Sequence, residues 1–309
     1  MSDQANELRQ LMQTLAERRI SPTARPRSVV VWGAQHGVGA TAIAVNLAVE
    51  LARHNRRVVL VDAEATAGAT RLCRLHEPSA AHRSGWTGAS LADVYRGRRP
   101  LSEAIRRGAH GLRVVGNSGG DSAAFAPTDE EIDVLAAAIR SLGNEADLVI
   151  VDAGWGHSPP AERLSRDADA VLVVASTTDA AIMEAYAAIK RLVAVEPDSN
   201  VSVLLSRCCA IEEADEAFAR LRHGCKRFLN AAIESAGCIV EDATVADAQS
   251  YAAPFVVLSP RCEAARGIQQ AAEHLLGASS TKSARSAVGG GVTDSRRGDD
   301  VVVAAHDAA

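Results

Sequence analysis

The sequence lacks the features that mark membrane, secreted and disulfide-stabilised proteins. No apolar run approaches the ~20 residues that a membrane-spanning helix needs, and the first twenty residues are charged and helical in pattern, unlike a signal peptide. The six cysteines form no C-x-x-C pair, which disfavours zinc or redox chemistry and predicts reduced thiols in a cytosolic protein. The formal charge of −5 gives no sign of broad attraction to nucleic acid or anionic membranes.

The motifs of common hydrolases are missing as well. The sequence contains no G-x-S-x-G or H-E-x-x-H pattern and no internal repeat. Its 309 residues, 47% of them apolar, suffice for one sizeable core. We therefore expect one domain at 28–276, preceded by an amphipathic helix at 1–20 and a linker at 21–27, and followed by a disordered tail at 277–309.

From Ser28 onward, apolar strand-like runs alternate with helical patterns, which predicts an α/β fold with a doubly wound, mainly parallel sheet. The predicted strands are Val29–Trp32, Val58–Asp62, Leu112–Val115, Asp147–Asp152, Ala170–Val174, Val201–Leu205 and Gly237–Val240. The predicted helices are Ala40–Arg53, Ser90–Arg96, Leu101–Arg107, Asp129–Ser141, Ala180–Val193, Glu212–Ala231 and Pro260–Leu276. The stretch Leu75–Gly88, rich in His, Ser, Gly and Pro, is predicted to be a mobile loop.

The chain is organised around Ser28–Ala48, in which an apolar strand leads through a glycine-rich turn into a helix. Such a turn surrounds an anion with backbone N–H groups and the positive end of the helix dipole, which is the geometry of a phosphate-binding loop. The P-loop pattern G-x-x-x-x-G-K-[ST] is only partly present. Gly39 and Thr41 match it, whereas Ala34 replaces the first glycine and Ala40 replaces the lysine.

The segment Gln35-His36-Gly37-Val38-Gly39-Ala40-Thr41 resembles the deviant Walker A loop, K-G-G-V-G-K-T, of the MinD/ParA ATPases. Gln35 stands where that family has a second, signature lysine. Val58–Thr70 and Asp147–Ser158 are similar to the family's two strand-and-switch segments, and Glu184–Lys190 is similar to the helix that follows. The resemblance implies a P-loop NTPase fold of the SIMIBI type, with ATP and Mg²⁺ as cofactors.

The resemblance also implies roles for individual residues. Thr41 and Asp152 would hold Mg²⁺, and Asp62 and Glu64 would orient water. The remnant nucleotide-binding residues would be Gln35, Gly37, Gly39, Ala40, Thr41 and Ser206, the last at the position where the family reads adenine with an asparagine.

Phosphoryl transfer depends on electrostatic stabilisation, so the loss of both lysines predicts that ATP binding is weak or lost and that the domain is a pseudo-ATPase. Three states of the site stay open: it turns over ATP, it binds nucleotide weakly without turnover, or it binds no physiological nucleotide. The structural alternative is that the loop is only a turn that caps a helix. The carboxylates, likewise, either serve a metal site or simply cap strand ends.

The N-terminal segment Asp3–Arg9, DQANELR, resembles the DQA-x-x-LR signature of the MinD-like flagellar number regulators called FlhG, FleN or YlxH. In that family the segment activates FlhF, a GTPase of the signal-recognition-particle type. The implied partner-binding residues are Asp3, Gln4 and Arg9 together with an apolar helical stripe of Leu8, Leu11, Met12 and Leu15. Further similar segments carry the resemblance to about Leu276. A helix that merely docks on its own domain is the alternative.

The sequence thus favours a cytoplasmic regulator of flagellar number, placed peripherally to the inner membrane through its partners. Its partners would be an FlhF-like GTPase, flagellar or regulatory proteins and a second copy of the chain, with no nucleic acid. The basic amphipathic helix by which MinD-like proteins commonly lie on membranes is not found beyond Leu276. The alternatives are an active MinD/ParA-type ATPase that dimerises with ATP to position a cargo, and a pseudo-ATPase interaction module unconnected with flagella.

Overall fold

The computed structural model describes residues 25–64, 66–73, 89–108, 111–116 and 126–288. Eight strands in this part of the chain form one sheet in the order β3-β4-β2-β5-β1-β6-β7-β8. They are β1 (Arg27–Gly33), β2 (Val58–Asp62), β3 (Arg106–Arg107), β4 (Arg113–Val115), β5 (Leu148–Trp155), β6 (Ala170–Ala175), β7 (Val201–Cys208) and β8 (Ile233–Val240). Every pair is parallel except β3 with β4.

The described α-helices are α1 (Ala40–Arg53), α2 (Gly68–Leu72), α3 (Leu91–Tyr95), α4 (Asp129–Arg140), α5 (Pro159–Arg166), α6 (Asp179–Val195), α7 (Ile211–Gly224), α8 (Ala243–Ser250), α9 (Phe255–Leu258) and α10 (Glu263–Val288). Short 3₁₀ turns occupy Leu101–Ala104 and Ser141–Asn144, and a π-helical turn, Cys225–Leu229, extends α7. None of these helices is long and apolar enough to cross a bilayer.

The sheet is buried on both faces, as its continuous apolar strands predict. Alternate residues of β1 point into separate cores: Val30 and Trp32 pack with α3 to α7, and Val29 and Val31 pack with α1 and α10. Four of these α-helices begin at a Ser or Thr N-cap: α3 at Ser90, α4 at Thr128, α5 at Ser158 and α6 at Thr178. This local signal explains why the starts of α3, α4 and α6 could be predicted from the sequence. The predicted doubly wound, mainly parallel fold is confirmed.

Several local predictions were wrong. The predicted helix Leu101–Arg107 is a 3₁₀ turn followed by β3, because Arg106 and Arg107 pair with β4 and this tertiary pairing overrides helical propensity. The last helix was predicted to end at Leu276, with disorder from 277, yet its backbone remains helical to Val288. A glycine inside a helix costs only about 1 kcal/mol, so Gly277 does not end it.

Other predictions were incomplete or fall outside the description. The predicted last strand begins four residues earlier, at Ile233, and α2, α5, α8 and α9 were not predicted. All six cysteines are free, with Cys73, Cys208 and Cys225 buried and Cys209 exposed. The N-terminal helix at 1–20, most of the linker, residues 75–88 and the tail beyond 288 lie outside the described residues.

Candidate functional site

The glycine-rich loop joins β1 to α1 at the carboxyl edge of the sheet. Its first residue, Ala34, is fixed by a backbone hydrogen bond from its N–H to Val174 O at 2.7 Å. Gly37 and Gly39 have φ of 73° and 94°, conformations that side-chain-bearing residues rarely adopt. Gly39 is the N-cap of α1 and no side chain caps that helix end. The described loop therefore has the glycine conformations and the uncapped helix start that a phosphate-binding loop needs.

A cavity of about 550 Å³ lies against this loop. Loop residues from Gln35 to Ala42 line it, together with Glu64, Arg71 and Trp155. A second cavity of about 300 Å³ shares Gly37, Val38, Gly39 and Ala42 with the first. The two cavities therefore adjoin at these loop residues.

The second cavity contains the residue predicted to meet a base. Ser206 is 4% exposed and lines it, and a Cβ placed on Gly39 would lie 3.9 Å from Ser206 Oγ. Its neighbour Arg207 has φ of 59° and lies 3.9 Å from Glu241, with the guanidinium also at this cavity. The structure therefore brings Ser206 to the loop, which sequence distance alone does not do.

Two aspartates stand side by side at the edge of the sheet below the loop. Asp62 of β2 is the register partner of Asp152 of β5, and both are fully buried. Asp62 Oδ2 accepts hydrogen bonds from Thr70 N and Thr70 Oγ1, both at 2.6 Å, and Asp152 Oδ1 accepts one from Gly154 N at 3.2 Å. Their other oxygens, Asp62 Oδ1 and Asp152 Oδ2, have no hydrogen-bond partner among the described residues.

The electrostatics of this pair follow from its burial. Loss of solvent raises the pKa of Asp62 to about 6, although hydrogen bonds from Thr70 oppose the shift. Burial raises the pKa of Asp152 well above its usual range, and the charges of Asp62 and Glu64 raise it further. Around neutral pH the two groups therefore hold a proton that isolated aspartates would have lost.

Glu64 is held between two glycines. A Cβ on Gly154 would lie 2.6 Å from Glu64 Cγ, and one on Gly68 would lie 3.1 Å from Glu64 Oε2. Thr41 Oγ1 donates to the same carboxylate at 3.3 Å. Thr41, Asp62, Glu64 and Asp152 are thus gathered at one place, as predicted from their positions at strand ends.

The site is short of positive charge. Ala40 lines the cavity in place of a lysine, and Gln35 Nε2 donates to Ser176 Oγ at 3.4 Å. The whole sequence contains three lysines, Lys190, Lys226 and Lys282. Among the described residues that line the 550 Å³ cavity, Arg71 of α2 carries the one permanent positive charge. Sequence reasoning missed Arg71, although it directly follows the switch segment Val58–Thr70.

A cluster of aromatic rings around Trp155 lies at the cavity, and the sequence analysis did not predict it. The ring of Trp155 packs in a tilted arrangement against those of His36 and His157, with centroids 4.3 Å and 4.6 Å away. Burial lowers the pKa of His157, and the nearby Arg191 lowers it further. The signal was present in the sequence, since Trp155 stands between two glycines where the similar MinD/ParA segment has a small residue.

The described residues fit magnesium better than they fit a triphosphate. A free buried oxygen on Asp152 and the Thr41 hydroxyl are ligands that Mg²⁺ prefers, with water and phosphate oxygens completing its shell. No group of three His, Cys, Asp or Glu side chains with metal-holding geometry occurs among the described residues, so this would be a partial site. Triphosphate would meet backbone amides and Arg71, without the lysines on which P-loops depend.

The fold and the site define a P-loop NTPase-like protein of the MinD/ParA class. Within that class, the chain belongs to the family of the cellulose biosynthesis protein BcsQ, whose model matches residues 27–276. It is 28% identical over 245 residues to the antiactivator FleN of Pseudomonas aeruginosa. This alignment covers 79% of this chain and 84% of FleN. It is 25% identical over 260 residues to an uncharacterized ATP-binding protein of Methanocaldococcus jannaschii. This alignment covers 81% of this chain and 88% of that protein.

Solved structures agree on the fold. The cell division ATPase MinD of Pyrococcus furiosus superposes with a TM-score of 0.65 at 18% identity, covering 81% of this chain and 98% of MinD. MinD of Aquifex aeolicus gives a TM-score of 0.64 at 21% identity, covering 81% and 97%. The resemblance to MinD/ParA ATPases and to the FlhG/FleN group, drawn above from the motifs, is confirmed.

We expect Arg71 to carry the remaining affinity of the cavity for polyphosphate. Replacing it in Arg71→Gln should weaken binding of tripolyphosphate about tenfold or more, because a charge-assisted hydrogen bond is worth about 1.5–3 kcal/mol. Calorimetric titration at low ionic strength measures the change. Arg99→Gln is the matched control, since Arg99 pairs with Glu103 on the surface and does not line the cavity. Equal affinity in the two variants would contradict this role.

Proposed function

We propose that this protein is a MinD-like regulator of the flagellar number and placement type, acting through protein contacts. The relationship to the antiactivator FleN over 245 residues supports this proposal. So does the N-terminal DQA-x-x-LR-like segment at Asp3–Arg9, whose spacing before the domain is that of the regulators it resembles. Its partners would be an FlhF-like GTPase of the signal-recognition-particle type and flagellar or regulatory proteins. Its location would be cytoplasmic, peripheral to the inner membrane only through those partners.

We further propose that the domain is a pseudo-ATPase. One observation carries this: the loop keeps the glycine conformations of a phosphate site, while Ala40 and Gln35 leave its cavity without a lysine. ATP with Mg²⁺ would bind weakly or not at all, and a homodimer would not respond to nucleotide. The domain would then serve as a fixed scaffold for its partners.

An active MinD/ParA-type ATPase that dimerises with ATP and positions a cargo is the second candidate. The retained cluster of Thr41, Asp62, Glu64 and Asp152 favours it, because a scaffold has no need of fully buried aspartates with free oxygens. Relatives named as ATP-binding or as MinD point the same way. Micromolar binding of ATP with steady phosphate release would decide for this candidate.

The activity that needs no nucleotide would belong to the N-terminal segment. We expect the full chain, and a peptide of residues 1–20, to accelerate GTP hydrolysis by the cognate FlhF-like GTPase. Gln4→Ala should lower that stimulation about tenfold with little loss of binding. An amide can orient the attacking water, and one such hydrogen bond is worth about 1–1.5 kcal/mol. Single-turnover hydrolysis separates rate from binding.

Two variants serve as controls for this assay. Leu8→Asp should abolish binding altogether, because it places a charge on the apolar face of the predicted helix. Gln10→Ala, on the polar face, should change neither binding nor rate. If the full chain and the peptide both leave GTP hydrolysis unchanged at saturating concentration, the flagellar proposal loses its main support.

A further inference from the structure

A groove of about 280 Å³ runs between α5 and α6, on the opposite face of the sheet from α1. Trp32 of β1 lies at the bottom of the groove. The side chains of Ala161 on α5 and Ala188 on α6 are small, so they leave the space above Trp32 open. The polar floor atoms are already paired: Trp32 Nε1 donates to Ser165 Oγ at 3.2 Å, and Ser165 Oγ donates to Ala161 O at 2.6 Å. The floor therefore offers an apolar surface with no polar group left to satisfy.

The rim of the groove has an apolar residue, Val195, and two positively charged residues, Arg166 and Arg191. Val195, the last residue of α6, lines the groove and is 54% exposed. Arg166 and Arg191 stand on either wall. Arg191 Nε lies 3.2 Å from Glu162 Oε1 without hydrogen-bond geometry, and Arg191 Nη2 is buried without a partner among the described residues. An apolar occupant that also carries carboxylates would satisfy this rim.

The described chain begins at Arg25, close to one end of this groove. Arg25, the first described residue, pairs with Asp169 Oδ1 at 2.6 Å, and Ser28 N donates to Asp169 Oδ2 at 2.8 Å. Asp169 follows α5 by three residues, and the final residue of α5, Arg166, lines the groove. Val195 ends the helix that returns the chain from the carboxyl end of β6 to the amino end of the parallel strand β7, so it lies at the edge of the sheet where β1 begins. The segment before Arg25 therefore starts at the same end of the groove as Val195 and Arg166.

The length and pattern of that segment match the groove. A helix over 3–19 would be about 25 Å long, the same as α6, and residues 20–24 can bridge up to roughly 15–18 Å. Its stripe of Leu8, Leu11, Met12 and Leu15 is apolar, and Glu7 lies at the edge of that stripe. A helix leaving from Arg25 would run antiparallel to β1, as α5 and α6 do. Its N-terminus would then point towards Gly156, beside Trp155 of the 550 Å³ cavity.

We propose that residues 3–19 dock as an amphipathic helix into the groove between α5 and α6 of the same chain. Leu8, Leu11, Met12 and Leu15 enter the groove, and Glu7 faces the arginine rim. A helix docked in this way has its partner-binding face covered. The docking stands without the proposed function, whereas its consequence, that the chain withholds its own activating segment until a partner displaces it, rests on that function.

The test is hydrogen exchange of the full chain, followed by mass spectrometry of the peptides that cover 4–19. We expect protected amides in the wild type. Leu11→Asp and Val195→Asp should each speed exchange about tenfold or more, the ratio expected when a leucine-sized side chain loses its burial. The double variant should be no faster than either single one, because both substitutions remove the same contact.

Matched controls separate docking from helix propensity and from general damage. Gln10→Asp places the same charge on the polar face of the segment, and Met183→Asp places it on α6 at a residue that is 65% exposed and does not line the groove. Both should exchange like the wild type. An unprotected wild-type segment, protection that Val195→Asp leaves unchanged, or protection that rises with protein concentration would each overturn intramolecular docking.

The regulatory consequence has a separate readout. If docking covers the activating face, Val195→Asp should raise stimulation of the FlhF-like GTPase several-fold at a sub-saturating concentration of the chain, and Met183→Asp should not. Equal stimulation by wild type and Val195→Asp would overturn the withholding step alone. Failure of every variant to stimulate, with exchange behaving as described, would contradict the proposed function and leave the docking intact.

Discussion

Returning the two lysines to the loop, in the variant Gln35→Lys/Ala40→Lys, should raise affinity for Mg²⁺–ATP by about two to four orders of magnitude. Each ammonium would make charge-assisted contacts with phosphate worth about 1.5–3 kcal/mol, and about 1.4 kcal/mol is a factor of ten. The scaffold to receive them is in place, since Gly37 and Gly39 hold the loop conformation and Ala40 already lines the cavity. Calorimetric titration of wild type and variant measures the gain.

The matched control is Gln35→Met/Ala40→Met, which adds chains of similar length without charge. It should bind ATP no better than the wild type, because volume alone offers nothing to a phosphate. Sedimentation of the lysine variant with ATP adds a second readout: the wild type should not change its oligomeric state with nucleotide. Micromolar affinity in the wild type, or no gain in the lysine variant, would show that the missing cations do not limit this site.

Removing one of the two buried aspartates should stabilise the protein at alkaline pH. In Asp152→Asn we expect the free energy of unfolding at pH 8 in EDTA to rise by about 2–3 kcal/mol. Burial, together with the charges of Asp62 and Glu64, opposes ionisation of Asp152 in the folded chain, and asparagine removes that ionisation. Each unit by which folding raises a pKa corresponds to about 1.4 kcal/mol. In a domain of this size, a rise of about 2–3 kcal/mol is roughly 5–10 °C in Tm. The asparagine amide could also donate to the partnerless Asp62 Oδ1.

The sign of the pH dependence follows from the direction of the shifts. Both carboxyl groups have raised pKa values in the folded state, so the fold holds protons that the unfolded chain releases at lower pH. The wild type therefore loses stability as the pH rises from about 4 through 6, and further as Asp152 ionises. The advantage of Asp152→Asn should be small near pH 4, where both aspartates are protonated in the folded chain and the pH is close to the pKa of about 3.9 of an unfolded aspartate. Urea denaturation from pH 4 to 8 traces this difference.

Asp147, which directly precedes the same strand as Asp152, provides a control because its pKa is shifted in the opposite direction. Asp147, which precedes β5, pairs with Arg57 at 2.6 Å, and although partial burial opposes the shift, hydrogen bonds from Arg57 leave the pKa of Asp147 below its usual range. Asp147→Asn should destabilise slightly, by about 0–1 kcal/mol, as exposed pairs do. If Asp152→Asn lowered the free energy of unfolding at pH 8, that result would contradict the proposed cost of burying Asp152 beside Asp62 and Glu64. Adding Mg²⁺ in place of EDTA should stabilise only the wild type if Asp152 retains a metal site.

The sequence by itself determined the class of fold and the state of the loop. Continuous apolar strands, glycine punctuation and Ser or Thr helix caps are local signals, so β1, α1, β2 and β5 could be located without tertiary information. The missing lysines at Gln35 and Ala40 are also a matter of sequence alone. The predicted helix at Leu101–Arg107 failed because pairing with β4 decides that edge, and pairing is not local.

Only the tertiary structure decided which distant residues share the site. It placed Asp62 directly beside Asp152, brought Ser206 to Gly39, and set Arg71 and Trp155 around the 550 Å³ cavity. The depth of the groove between α5 and α6, and the arrival of the chain beside it at Asp169, depend on packing between segments more than a hundred residues apart. Local propensities carry no record of such contacts, because burial and shared solvent exclusion arise only when the sheet is assembled.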